Sequence, residues 1–170
     1  MIRIKCVVTI CCILSISSCG KIDPLVELST FQEFVIPAGL STIESHYFVQ
    51  NNTPILYEST IANSGIDAAD VENFVASTAS LVPANGRDFD LGFVRSVNVF
   101  LVEPDGRRHE LFYIDQVPLG EKQRINMLNG ITNLKDIIMN DRATIETKLD
   151  FYTPPITNRE IRVNMTFAVI

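Results

Sequence analysis

Tryptophan is absent from this 170-residue chain, histidine occurs twice, and no cysteine follows Cys19. Without tryptophan, the side chain best suited to stacking on sugar rings is missing. The four tyrosines, Tyr47, Tyr57, Tyr113 and Tyr152, are scattered, and most of the ten phenylalanines sit in alternating patterns that read as core. With cysteine confined to the first 19 positions, the rest of the chain has no disulfide, cysteine zinc site, thiol nucleophile or redox pair. Basic residues are also short. Fourteen Lys and Arg against 20 Asp and Glu give a net charge of −6, so nucleic acid is not an expected partner. Arg107-Arg108 reads as a solvated basic tip. There is no Gly-x-Ser-x-Gly, no His-Glu-x-x-His, no phosphate-cradling glycine loop and no dinucleotide fingerprint, and no Ser-x-x-Lys stands with the partners such enzymes need. The apolar runs fall short of the ~20 residues that span a bilayer. The expectation is a protein without catalytic residues, cofactor or metal.

What is present is ordinary for a globular chain: 46% hydrophobic residues, 20% charged, and eight each of Gly and Pro. That balance excludes disorder and collagen-like repeats, and the length suits one domain.

The N-terminus carries the most specific signal. Met1 to Lys5 holds Arg3 and Lys5 and no acid; Cys6 to Ile16 is apolar or small; then comes Ile16-Ser17-Ser18-Cys19. A basic start, a short apolar run and small residues before a break form a secretory signal. Cys6, Cys11 and Cys12 lie inside the apolar run. Cys19 alone has small residues before it and the polar stretch Gly20-Lys21-Ile22-Asp23-Pro24 after it. Ile16-Ser17-Ser18-Cys19 resembles the lipobox of bacterial lipoproteins. That resemblance implies a signal peptide over 1–18, a diacylglycerol on the Cys19 thiol, a fatty acid such as palmitate on its amino group, and a tether over 19–24. Two or more chains anchor a protein stably without help from its domain. Gly20 stands where the inner-membrane retention signal of that family has Asp, which implies the outer membrane. Lys21 and Asp23 resemble, in part, export signals of Bacteroidota surface lipoproteins, and periplasmic versus surface exposure stays open.

Residues 25–170 read as one β domain. Leu25 to Pro37 is β-like, with Val26, Leu28, Phe34 and Ile36 as apolar positions, and Pro37-Ala38-Gly39 is a turn. Ile43 to Gln50 is a second strand closed by Asn51-Asn52-Thr53-Pro54. Ile55 to Asn63, followed by Ser64-Gly65, is a short helix with a glycine stop. Within 67–82 the residues fit helix or strand, and a strand over about 71–82 is favoured. Val94 to Val102 is rich in β-branched residues and pairs back through Pro104-Asp105-Gly106 with Arg108 to Asp115. Asn133 to Asp141 predicts a short helix capped by Asn133. In Ala143 to Tyr152, Ile145, Thr147, Leu149 and Phe151 point inward; Thr144, Glu146, Lys148 and Asp150 point outward. In Glu160 to Ile170, Ile161, Val163, Met165, Phe167 and Val169 share one face. Seven to eight strands with one or two short helices predict an antiparallel β-sandwich, Ig-like or jelly-roll-like. Architecture and address together resemble the small all-β lipoproteins of Bacteroidota.

Two functional readings follow. The first is a lipid-anchored, non-catalytic domain at the cell envelope, serving binding, adhesion or envelope structure, with the membrane and an envelope protein or glycan as partners. The second is a secreted hydrolase or a metal-dependent carbohydrate-binding module with a site near His46, His109 or Asp67/Asp88/Asp90. Hard oxygen ligands on a loop suit Ca²⁺, although Asp88-Phe89-Asp90 lacks the spacing of a calcium loop. The second reading requires those side chains to come within about 5 Å of one another around a pocket.

Overall fold

The computed structural model describes residues 24–138 and 141–170. Eight strands and one helix run in the order β1 (Val26–Ile36), β2 (His46–Pro54), α1 (Tyr57–Ser64), β3 (Phe74–Pro83), β4 (Val94–Val102), β5 (Arg108–Ile114), β6 (Ile125–Asn129), β7 (Arg142–Phe151) and β8 (Arg159–Val169). Every pairing is antiparallel. First pairs with last, second with next-to-last, and so inward: β1 with β8, β2 with β7, β3 with β6, β4 with β5. That is one long antiparallel ribbon rolled over itself, the jelly-roll form of the β-sandwich. Rolling stacks two faces, β1-β8-β3-β6 and β5-β4-β7-β2.

The faces join at both edges. β5 and β6 pair over Phe112↔Asn129 and Tyr113↔Leu128. β1 and β2 are joined by side chains. Gln32, 1% exposed, donates Nε2 to the Phe48 carbonyl (2.9 Å) and accepts at Oε1 from the Thr147 hydroxyl (2.6 Å). The Thr30 hydroxyl donates to the Pro54 carbonyl at 2.7 Å. Few unpaired strand edges remain, which removes the usual route to edge-to-edge association.

The core is the inward half of each period-two pattern. Ile161, Val163, Met165, Phe167 and Val169 of β8 are each buried to 1% exposure or less. Full burial of one such side chain stabilises by roughly 1.5–3 kcal/mol. Phe74, Phe112 and Phe167 form a tilted aromatic stack at its centre. In β5, consecutive residues Leu111 and Phe112 are both buried because the strand bulges: Val99 opposes Phe112, and Phe100 opposes Glu110. The extra residue in the bulge turns a second side chain inward.

Three details depart from the sequence reading. Ile125–Asn129 is a strand that pattern reading leaves as loop. Only Ile125 and Met127 of it reach the core, too few to show a period. The helix expected over Asn133 to Asp141 is, in its described part, a single turn. Asn133 Oδ1 accepts from the Lys135 amide (3.0 Å), and the Ile138 amide bonds the Leu134 carbonyl (2.9 Å). β2 begins at His46 and continues through Asn51–Pro54 across a bulge with Asn52 at φ 59°. Helix α1 forms as expected and ends at Gly65 in the left-handed conformation. It has no side-chain cap of its own. Asp141 Oδ1 accepts from the Ser59 amide at 3.1 Å, and that backbone hydrogen bond lowers the Asp141 pKa.

Candidate functional site

The residues nominated from sequence are distributed over the fold. Cys19 lies outside the described residues. His46 opens β2, bonds the Ser41 carbonyl through Nε2 (2.8 Å) and stacks on Phe151. His109 stands beyond the hairpin turn, its Nε2 on the Glu103 carboxylate. His46 is level with Leu149, whereas His109 is level with Leu101 and, through it, Ile145. Four residues along a strand and three strands across amount to roughly 13 Å by 14 Å. The histidines therefore serve opposite ends of one sheet.

The aspartates do not gather either. Asp67 precedes β3 and accepts from the Ala69 amide, while Asp88 and Asp90 follow the far end of β3. A ten-residue strand separates them by roughly 30 Å. Asp90 accepts from the Gly92 and Lys122 amides, and Asp88 is exposed. Among the described residues, no three His, Cys, Asp or Glu side chains stand close enough to hold a metal ion. Asp67 and Asp90 shape turns, and the constellation required by the second reading is not assembled from these carboxylates.

One polar cluster was not legible in the sequence. Asp150, on β7, accepts from the Ser45 hydroxyl (2.7 Å) and the Ser96 hydroxyl (2.6 Å), with Arg95 at 3.8 Å. Burial pushes its carboxyl pKa up, but the two hydroxyls and the charges of Lys148 and Arg95 outweigh this and hold it below the usual value. Nucleophile activation needs a base that takes the hydroxyl proton. Here both hydroxyls donate to an ionised carboxylate, and His46 Nε2 is bound to Ser41. The cluster fastens the β1–β2 loop to β4 and β7.

It forms part of a larger arrangement. Residues 37–45, 84–93, 115–124 and 152–158 emerge at one pole of the sandwich, opposite the pole where β1 begins. The four loops are cross-linked. The Gly39 amide bonds the Pro155 carbonyl (2.8 Å), the Tyr152 hydroxyl the Val117 carbonyl (3.0 Å), the Tyr152 amide the Phe93 carbonyl (2.8 Å), and the Leu91 amide the Lys122 carbonyl (2.7 Å). From this braced base three aliphatic tips project: Ile43 (92% exposed), Leu119 (75%) and Ile156 (88%). Loops held by a rigid scaffold are where binding residues concentrate. At the opposite pole Ile131 is 98% exposed, so exposed aliphatic side chains occur at both ends of the sandwich. The chain matches no family model, no curated protein and no solved structure.

Proposed function

We propose that this is a lipid-anchored protein of the cell envelope, with a non-catalytic jelly-roll domain that binds a partner through its loop-bearing pole. The observation that carries the reading is the placement of the lipobox Ile16-Ser17-Ser18-Cys19 just ahead of β1. Residues 20–25 separate Cys19 from Val26 and reach at most ~25 Å when extended. A diacylglycerol on Cys19 then holds the pole where β1 starts against the membrane, and Ile43, Leu119 and Ile156 face away from it. Gly20 after the cysteine supports the outer membrane as destination.

The test is made in cells fed an alkyne fatty acid. Wild-type protein takes the label and sediments with outer membranes. Cys19→Ala remains unlabelled precursor. A variant that matures normally and still sediments with membranes contradicts the anchor. A photo-crosslinking residue at Leu119 gives a discrete adduct that Ile43→Ser with Ile156→Ser abolishes. Wild-type protein that forms no adduct contradicts the binding role.

A further inference from the structure

A second surface lies on the outer face of the β1-β8-β3-β6 sheet. The strand register sets Phe31 beside Asn164, Asn164 beside Ser80, and Ser80 beside Asn126, one residue from each of four adjacent strands. The short Ser80 side chain forms the floor of a depression of about 270 Å³, walled by Thr78, Thr166, the two asparagines and Arg124. Among the described residues, the side chains of Thr78, Ser80, Asn126 and Asn164 make no hydrogen bond, and Arg124 meets no carboxylate. The row ends in an aromatic ring. Phe31 is 49% exposed, and Arg162, held by Glu33, lies over its ring at 4.8 Å from the centroid. Three strand spacings of about 4.8 Å make the row ~14 Å long.

We propose that this row binds an oligosaccharide, with an acidic ring favoured at the Arg124 end. Under Ser80 and Asn164 the backbone is paired on both sides, because Ser80 lies between β6 and β8 and Asn164 between β1 and β3, so this stretch offers a peptide no strand edge. Binding is left to side chains. Asparagine amides and hydroxyls both donate and accept, which matches the hydroxyls of a sugar. Beyond the face that Arg162 covers, Phe31 stays about half exposed, and an aromatic face, the negative side of the ring quadrupole, suits the slightly positive C–H face of a pyranose. A nucleic acid would need a strongly basic surface, whereas this chain carries −6. Arg124 supplies a planar fork for one carboxylate. This assignment does not rest on the lipid anchor.

The test uses the full-length protein, purified in mild detergent, on an array of neutral, uronate-bearing and sialate-bearing oligosaccharides. Wild-type protein binds a defined subset. Phe31→Ala and the pair Asn126→Ala with Asn164→Ala each weaken that binding at least tenfold, whereas Phe31→Tyr retains it. Arg124→Gln erases the preference for acidic over neutral glycans. Cys19→Ala binds as wild type does, so loss of the anchor and loss of this site are told apart. Thermal unfolding of the folded variants stays at the wild-type temperature, since these side chains point away from the core. The proposal is overturned if wild-type protein binds no glycan. It is equally overturned if binding survives the asparagine pair, or if Tyr47→Ala on the opposite sheet weakens binding as much.

Discussion

Replacing Phe167 with alanine tests whether the alternation in β8 is the backbone of the core. Phe167 is 0% exposed, with ring centroids 5.4 Å from Phe74 and 6.0 Å from Phe112. Truncating a buried phenylalanine costs about 3–5 kcal/mol, through lost transfer energy and the cavity left behind. Two aromatic neighbours, each worth ~0.5–1.5 kcal/mol beyond area burial, place this site near 4 kcal/mol or above. A typical domain has only ~5–15 kcal/mol in all. The control is the adjacent Thr166 on the outer face, whose hydroxyl has one long contact, 3.4 Å, to Ser29. Thr166→Ala is expected within ~0.5 kcal/mol. Urea denaturation of a chain beginning at Gly20, with an m-value of about 2 kcal/mol/M, turns these figures into midpoint shifts of ~2 M and under ~0.3 M. Comparable small shifts for both variants would refute the assignment of faces and with it the packing described for β8.

Further outcomes follow from the seam, the polar cluster and one glycine. Gln32→Leu strands the Thr147 hydroxyl and the Phe48 carbonyl at the β1–β2 edge and destabilises by roughly 2–4 kcal/mol. Thr147→Val added to it restores part of that loss, and a thermodynamic cycle in urea measures the recovery. Asp150 has a folded-state pKa below its unfolded value, so its ionised form stabilises the fold above the unfolded pKa near 3.9. That stability disappears as pH falls through the lower folded pKa. The gap in melting temperature between wild type and Asp150→Asn therefore narrows below about pH 4. Gly130→Ala brings a Cβ against the Glu110 carbonyl closer than real contacts allow, where the neighbour is strand backbone that cannot swing away, and destabilises by ~1–3 kcal/mol. A melting temperature unchanged from wild type would mean β6 is held more loosely than described.

Local chemistry made part of this fold legible in advance. β8 and the β4–β5 hairpin follow from period-two alternation and from Pro104-Asp105-Gly106, because a strand and a tight turn are written in neighbouring residues. The rolled order of strands was not legible beyond its class. β1 pairs with β8 across nearly the whole chain, and no local pattern encodes that contact. Asn133 carries a helix-capping signal, yet its Oδ1 accepts from both Lys135 and Phe74 and serves one turn and the start of β3. Glu146 points outward as alternation requires, but it is only 6% exposed, with its carboxylate ion-paired to Arg108 at 2.9 Å. The Asp150 cluster draws its hydroxyls from positions 105 and 54 residues away. His46 and His109 stand out in a chain with two histidines, yet each is engaged where it stands. Phe31 shows the reverse. Aromatic residues in an alternating strand read as core, and only the register reveals one on the outer face beside Asn164.

The central claim, an anchor on Cys19 immediately before the sandwich, meets its most direct test in the intact mass of the protein purified from envelope membranes. The expected species is a chain lacking residues 1–18, with Cys19 carrying a diacylglyceryl group and an amide-linked fatty acid, and no unmodified form in the membrane fraction. A mature chain that still begins at Met1, or one cut elsewhere with Cys19 unmodified or removed, would contradict it.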